Sequence, residues 1–380
     1  MNKQHEEKEA PLLDALERFL EREVRPQVRR LEANDIWPAE IVDKMKAMGL
    51  FGCVIGEEYG GLGLPAGTYA KIVERISEVW MSLSGIINSH LIMASLVQRA
   101  GTEAQRRRWL PKFAAGELRG GLALTEPDCG TDLRAIRTSA RREGGEYVIN
   151  GTKTWISNGI HGHVVALLAK TDAQGMSCFL CEKGPGFTAS RKLEKLGYKG
   201  IDSAELVFDG YRVPAVNLVG EREGEGLKQV LGGLELGRIN VAARGVGVAN
   251  AALKESVAYA QLRRTFGKPI CEHQAIQLKL ADMATRVEAA RLLVEKAAAA
   301  YDRGERCDME AGMAKLYASE AALENATEAM RIHGAYGYSK EFNIERYYRD
   351  APLLMIGEGS NEIQQLIIAR RLLEKAGGKA

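Results

Sequence analysis

The feature that most constrains the fold is a change in the spacing of apolar residues along the chain. Apolar residues first recur every three to five positions, typical of one helix face, at Leu12, Leu16, Phe19, Val24, Val28 and Leu31. Between about residues 121 and 226, short apolar runs separated by turns indicate strands instead. From Ile276 onward, steps of three and four residues return. The sequence therefore predicts an α+β fold with a helical domain at residues 1–120, a barrel- or sandwich-like β domain at 121–226 and a helical bundle at 227–380.

Turn and capping residues predict several element boundaries. Pro38 is expected to open a helix that Gly49 ends, and Thr102 begins a capping box. The pairs Gly144-Gly145 and Asp209-Gly210 predict hairpin turns in the β domain. Gly245-Val246-Gly247 resembles the start of a dinucleotide motif, but it lies inside a helical pattern, so close helix packing explains it better.

Composition excludes several classes of protein. Lys and Arg number 52 against 50 Asp and Glu, and the charges are interleaved, which argues against a nucleic-acid binder. No stretch approaches the roughly 20 apolar residues of a membrane span, so no membrane association is predicted. The N-terminus resembles neither a signal nor a transit peptide, so we expect a cytoplasmic protein if the source is bacterial.

No metal site is predicted from the cysteines and histidines. The six cysteines are scattered and expected to be reduced, and Cys178 and Cys181 should lie on opposite faces of a buried strand. His161 and His163 sit in a turn without a third ligand nearby in sequence.

Two motifs of the β block suit a flat conjugated ring. The segment 122–132 offers hydroxyls and backbone N–H groups to a heterocycle or a phosphate, although a simple capped loop would look the same. Trp155 and Ser157 lie two residues apart on one strand and would present an aromatic wall and a hydroxyl donor. Trp155 could equally be a core residue.

Three motifs of the C-terminal block complete the set. The segment 261–268, followed by His273 and Gln274, gathers cations and a hydroxyl that could pair with a pyrophosphate or simply form a solvated helix end. The segment 331–338 is a glycine-rich helix exit. Glu358 lies between glycines ahead of the last helix, capped by Ser360 or Asn361, where a carboxylate can act as a base.

In this order, the motifs resemble those of the acyl-CoA dehydrogenase family over residues 11–375. The segments that carry the resemblance are Leu124-Thr125-Glu126-Pro127 with Gly130-Thr131-Asp132, Trp155-Ile156-Ser157-Asn158-Gly159, Arg264-Thr265-Phe266-Gly267 with His273-Gln274, His333-Gly334-Ala335-Tyr336-Gly337-Tyr338 and Glu358-Gly359-Ser360. The resemblance implies a C-terminal four-helix bundle, FAD as cofactor, and a homotetramer built as a pair of dimers.

The resemblance also assigns roles to residues. The isoalloxazine ring would contact Leu122, Leu124, Thr125, Trp155 and Ser157. The pyrophosphate and adenosine would contact Arg263, Thr265, Phe266 and Gln274, together with Arg331, Gly334 and Ala335 of a neighbouring subunit, and Ser360 and Glu362 would hold the adenylate side. The acyl-CoA substrate would contact Thr131, Glu235, Arg238 and Gly359.

The implied reaction is α,β-dehydrogenation of an acyl-CoA to the trans-2-enoyl-CoA. Glu358 would take the α-proton, flavin N5 the β-hydride, and an electron-transfer flavoprotein the electrons. The family's alternative base position is occupied by Gly237, and Glu235 lies on a different helix face, which favours Glu358. The segment 79–87 should line the acyl tunnel and carries no cation; with Met81 where relatives that act on a glutaryl thioester have Arg, a non-carboxylated acyl chain is expected.

Other functions remain compatible with these motifs. The same fold could act as an enoyl-CoA reductase or as another flavoprotein, because the direction of electron flow is not encoded in the motifs. A non-catalytic helical assembly protein that keeps the fold is the alternative from a different class. Gly357, which replaces an aromatic residue of several straight-chain enzymes, indicates a roomier pocket for a branched or cyclic acyl group.

Overall fold

The N-terminal part of the chain is helical. The structure, a computed structural model, describes residues 3–171 and 175–377. Its first helices are α1 (Lys3–Phe19), α2 (Arg25–Ala33) and α3 (Ala39–Ala47), with a π turn at Leu20–Val24 between α1 and α2. Pro38 and Gly49 bound α3 as predicted, and Gly49 has a φ of 74°.

Helix α4 (Ala66–Ala100) is the central element of this domain. It is kinked at Trp80, whose φ of −157° and ψ of 101° are not helical. The expectation that no stretch is apolar enough to span a membrane is wrong for α4, which is long enough and, with a window of mean hydropathy 1.3, apolar enough to do so. In this fold, however, 94% of that window is buried inside the protein. Helix α5 (Glu103–Ala114) follows, with the predicted capping box between Thr102 and Gln105.

The middle domain is a seven-stranded sheet. Its strands are β1 (Gly120–Ala123), β2 (Ser139–Glu143), β3 (Glu146–Ser157), β4 (Val164–Thr171), β5 (Gly175–Glu182), β6 (Phe187–Lys192) and β7 (Ser203–Pro214). Their order is β1-β4-β2-β3-β7-β6, with β5 paired to β4. Gly144-Gly145 joins β2 to β3 as the predicted hairpin, with Glu143 opposite Glu146.

The predicted hairpin at Asp209-Gly210 is wrong. Strand β7 continues through both residues, and its register against β3 shifts there from Gly151 opposite Phe208 to Ile149 opposite Tyr211. The extra residue of a β-bulge explains the shift, since the φ of 57° at Gly210 suits glycine in a bulge as well as in a turn. The Asn150 side chain accepts a 2.8 Å hydrogen bond from the Gly210 N–H.

The two cysteines of β5 lie in different cores. Cys178 packs with the helices, and Cys181 packs in a second core within the β domain. Both thiols are free and buried. The alternation of side chains along a strand separates them, as predicted.

The C-terminal domain is a helical bundle. Its helices are α6 (Gly226–Leu262), α7 (Gln274–Asp302), α8 (Asp308–His333), α9 (Ile344–Ile356) and α10 (Asn361–Lys375), with a two-stranded ribbon of β8 (Arg264–Thr265) and β9 (Lys268–Pro269) between α6 and α7. A Cβ at Gly245 would lie 2.5 Å from the Ala318 carbonyl oxygen. Close helix packing, not a dinucleotide motif, therefore accounts for this glycine.

Candidate active site

The candidate base lies in the short connection between α9 and α10. Glu358 has a φ of 56°, an unusual conformation for a residue other than glycine, and Gly359 follows with a φ of 87°. Ser360 is the N-cap residue of α10. Strained backbone of this kind persists where the surroundings hold it, which directs attention to what contacts the Glu358 side chain.

The carboxylate of Glu358 is enclosed on the side of α4 and α6. Its Oε1 accepts a hydrogen bond from the Asn88 side chain of α4, and its Oε2 is fully buried without a hydrogen-bond partner among the described residues. A Cβ at Gly237 of α6 would overlap Oε2 and lie 2.7 Å from the Ile92 side chain. The absence of a side chain at position 237 thus makes room for the Glu358 carboxylate.

Burial raises the pKa of Glu358 above its usual value. The positive charges of Arg244, Arg238 and Lys315, and the hydrogen bond from Asn88, act in the opposite direction. A buried carboxylate of raised pKa that keeps a free oxygen is suited to proton abstraction.

A buried lysine anchors the connection that carries Glu358. Lys315 of α8 donates a 3.0 Å hydrogen bond to the Met355 carbonyl and a 2.8 Å bond to Asn361 Oδ1, at either end of the connection. Burial lowers the pKa of Lys315 to about 8. Asn361 is thus a buried anchor, and Ser360 takes the capping position.

A chain of buried polar groups continues from Asn88 into the interior. Asn88 Oδ1 lies 3.5 Å from the Tyr69 hydroxyl, which accepts a 2.7 Å hydrogen bond from Asn240 Nδ2. Arg244 donates a 2.6 Å bond to Asn240 Oδ1 and a 3.2 Å bond to the Tyr198 hydroxyl. None of these five residues was among the sequence candidates, because they come from α4, α6 and a loop and form no local motif.

The flavin-facing candidates of the β domain are brought together. Leu122, Leu124, Thr125 and Ser157 are half-buried, and Trp155 is 58% exposed with a φ of 60°. The Thr154 N–H donates a 2.9 Å hydrogen bond to the Thr125 carbonyl, which joins the two segments. Trp155 is therefore not a core residue, and its ring is free to contact a ligand.

A buried ion pair between Lys153 and Glu126 holds the segment that carries Leu124 and Thr125. Lys153 donates hydrogen bonds of 2.9 Å to the Leu124 carbonyl and 2.8 Å to Glu126 Oε1. Glu126 also accepts from the backbone of Arg137 and Thr138. Two hydrogen bonds thus join the segment 124–126 to β3, and two join it to the residues just before β2. Neither Lys153 nor Glu126 was recognised from the sequence as a supporting residue.

The phosphate-facing candidates form a separate open groove. A pocket of about 410 Å³ is lined by Arg263, Thr265, Phe266, Gly334, Ala335 and other residues between 259 and 336. We call this surface the open groove. Phe266 is 97% exposed, Gln274 lies exposed at the start of α7, and Arg331 is exposed and bonded to Glu328. A single chain therefore brings together segments that the resemblance divided between one subunit and its neighbour.

The remaining candidates are dispersed. Arg238 is buried near Glu358, and its Nε has no hydrogen-bond partner among the described residues; burial raises the pKa of the half-buried Glu235. Thr131 and Gly359 are exposed. Glu362 is also exposed, and its pKa is lowered by a hydrogen bond from Ser360.

Comparison with known proteins decides the family. The acyl-CoA dehydrogenase N-terminal, middle and C-terminal domain families match residues 6–117, 121–211 and 224–373. The chain belongs to the acyl-CoA dehydrogenase family. Members are flavin-dependent oxidoreductases that act on acyl-CoA thioesters, and this chain is an enzyme of that kind.

Three relatives illustrate the similarity. An acyl-CoA dehydrogenase of Bacillus subtilis (strain 168) is 41% identical, over 93% of this chain and 95% of its own length. The (2S)-methylsuccinyl-CoA dehydrogenase of Cereibacter sphaeroides is also 41% identical, over 95% of this chain and 69% of its own. The structure of butyryl-CoA dehydrogenase from Megasphaera elsdenii superposes with a TM-score of 0.94 at 36% identity, covering 96% and 98% of the two chains.

Proposed function

We propose that this acyl-CoA dehydrogenase converts an acyl-CoA thioester to its trans-2-enoyl-CoA, with Glu358 as the base that removes the α-proton. One observation supports this most directly. Glu358 Oε2 is fully enclosed yet unpartnered among the described residues, in the space left by Gly237. A base needs a carboxylate oxygen that is free to accept the proton, and Oε2 of Glu358 is such an oxygen.

The surroundings of Glu358 tune its basicity. The α-proton of a thioester is weakly acidic, so the base must gain affinity for a proton when substrate binds. An acyl chain that displaces water from Glu358 strengthens the desolvation that already raises its pKa. Asn88, bonded to Oε1, then holds the carboxylate so that Oε2 faces the substrate.

The chain's surfaces fit FAD. The exposed ring of Trp155 beside Thr125 suits the isoalloxazine, and the open groove offers Arg263 and Thr265 to the pyrophosphate. Bound there, the flavin would supply the acceptor of the β-hydride at N5. We further propose a homotetramer, in which a second copy covers the groove, and an electron-transfer flavoprotein as electron acceptor.

The acyl group is not determined by the relatives, which are named for substrates as different as butyryl-CoA and methylsuccinyl-CoA. The prediction of a non-carboxylated chain rests on the segment 79–87 around Met81, which carries no cation. Arg244, a cation from another helix, lies in the same polar chain as Glu358.

The decisive experiment compares Glu358→Gln with the wild-type protein. Anaerobic mixing with an acyl-CoA panel should bleach the flavin in the wild type, and the variant should bleach it about 10²- to 10⁴-fold more slowly, the usual contribution of a general base. Glu295→Gln, the same change at an exposed site of α7, should match the wild type. An unchanged bleaching rate in Glu358→Gln would exclude Glu358 as the base.

A further inference from the structure

A buried arginine close to the proposed base lacks an ion-pair partner. Arg244 is only 4% exposed, and none of the ion pairs among the described residues includes its guanidinium. Its acceptors are neutral: Asn240 Oδ1 takes a hydrogen bond from Nε, and the Tyr198 hydroxyl takes one from Nη1. Burying a guanidinium without an anion is costly, so this arrangement indicates a missing anionic partner.

Arg244 faces the same space as Glu358. Gly237, Asn240 and Arg244 are three and four residues apart and share one face of α6. Gly237 contacts the Glu358 carboxylate, and among the charged groups that act on Glu358, Arg244 has the largest influence. Yet no hydrogen bond joins the two side chains, so Glu358 does not satisfy the guanidinium.

The second hydrogen-bonding side chain, next to the Arg244 guanidinium, is Tyr198. Its backbone has a φ of 56°, and its N–H donates a 2.6 Å hydrogen bond to Asp350. Its hydroxyl reaches the position that a side chain at Gly85 of α4 would occupy. Tyr198 is therefore fixed from both ends, and its hydroxyl can serve as a second donor beside the Arg244 fork.

We propose that Arg244 and Tyr198 bind a carboxylate at the far end of the acyl chain, so that the substrate is a short dicarboxylic acid joined to CoA through its other carboxyl group. This rests on the proposed function, whose substrate class it names. The guanidinium offers paired N–H donors that match a carboxylate. The substrate's carboxylate is not altered; it anchors the chain while the α-proton moves to Glu358.

The spacing sets the length of the chain. An arginine on a helix leans toward the N-terminus, so the guanidinium lies about one helical turn, about 5 Å, beyond Gly237. A saturated chain advances about 1.3 Å per bond. With the α-carbon beside Glu358, a diacid of about four to six carbons reaches Arg244.

The terminal carboxylate of the substrate would also change the basicity of Glu358. Arg244 stabilises the ionised form of Glu358 in the free protein. A carboxylate that neutralises Arg244 removes this stabilisation and strengthens the base only when the correct substrate is bound. A neutral acyl chain would leave the charge of Arg244 buried and uncompensated.

The test compares matched pairs of thioesters. Succinyl-, glutaryl- and adipyl-CoA are each paired with the monocarboxylic thioester of equal carbon number, and anaerobic flavin bleaching gives kcat/KM. We expect at least one diacid to exceed its partner by about 10-fold or more, and Arg244→Gln to lower the diacid rate about 10- to 100-fold, the usual loss for a charge-assisted pair. Arg244→Lys and Tyr198→Phe should give smaller losses and remain informative if Arg244→Gln does not fold.

A binding measurement separates the outcomes. Calorimetry with Glu358→Gln, which should bind without turnover, should show tighter binding of the preferred diacid than of its neutral partner. Preference for the neutral thioesters, or an equal loss for both classes in Arg244→Gln, would overturn the carboxylate site and leave the proposed function intact. Failure of every thioester to bleach the wild-type flavin would instead overturn the proposed function.

Discussion

The pocket around Glu358 and the open groove at residues 259–336 differ in how complete they are within one chain. The pocket is lined by buried groups from α4, α6 and the α9–α10 connection, and Asn88, Asn240 and Tyr69 have internal hydrogen-bond partners. In the groove, Phe266 is 97% exposed, and Leu262, which precedes Arg263 of the groove, is 82% exposed. One chain is thus sufficient to position the Glu358 carboxylate. The exposed aromatic and aliphatic side chains at the groove instead indicate a surface that a cofactor and a second copy of the chain cover.

The largest effect should come from adding one methyl group to the pocket. In Gly237→Ala, the new Cβ overlaps Glu358 Oε2, so the base must move, and we expect flavin bleaching about 100-fold slower. In Gly233→Ala, one helical turn earlier, the Cβ meets Ile92 at an ordinary 3.7 Å and should leave the rate unchanged. Equal rates in the two variants would show that Glu358 is not confined as described.

The groove should respond differently. Phe266→Ala removes a side chain that packs against little in one chain, so we expect unfolding free energy within about 0.5 kcal/mol of wild type. Flavin affinity should fall about 10-fold, or about 1.4 kcal/mol, together with subunit association. Flavin content and mass by light scattering measure both, with Leu196→Ala at another exposed site as the control. A stability loss without flavin loss would place Phe266 in the core of a single chain.

A substitution in α5, away from both the Glu358 pocket and the open groove, measures how large an effect on stability alone can be. Thr102→Ala removes the cap of α5 and half of its capping box, and should lower the unfolding free energy by about 1 kcal/mol. Denaturant unfolding measures it, and Thr102→Ser should restore most of the loss. Bleaching rate and flavin content should stay at wild-type values. If either changed, stability alone could explain effects attributed to the pocket or the groove.

The smallest effect concerns pH. The proposed base acts when ionised, so the bleaching rate should rise with pH through the pKa of Glu358, which burial raises. Arg244 lowers that pKa; Arg244→Gln should therefore move the rising limb to higher pH, while Arg238 and Lys315 still restrain it. Pentanoyl-CoA, without a second carboxylate, keeps the acyl group neutral in this comparison. An unmoved limb would mean that Arg244 and Glu358 do not interact.

Sequence motifs identified the residues that lie within a recognisable local pattern, but not the residues that meet only through folding. Glu358 and Gly237 could be related because both positions are recognisable in the family pattern, and the contact of Trp155 with a flat ligand stays a prediction. Asn88, Tyr198 and Arg244 were missed, because their meeting depends on the packing of distant segments and no local spacing encodes it. The Asp209-Gly210 hairpin failed for the opposite reason: the local signal was present, but pairing with β3 turned it into a bulge.

The tight fit of Gly237 against Glu358 also constrains how this fold could change over evolution. A carboxylate introduced on α6 at position 237 would collide with the existing one, while loss of Glu358 first would remove the proposed base. Transfer of the base between the two positions therefore passes through an inactive intermediate unless both residues change together. Lineages that differ in the location of the base are expected to be separated by a paired substitution, with no functional single-step variant between them.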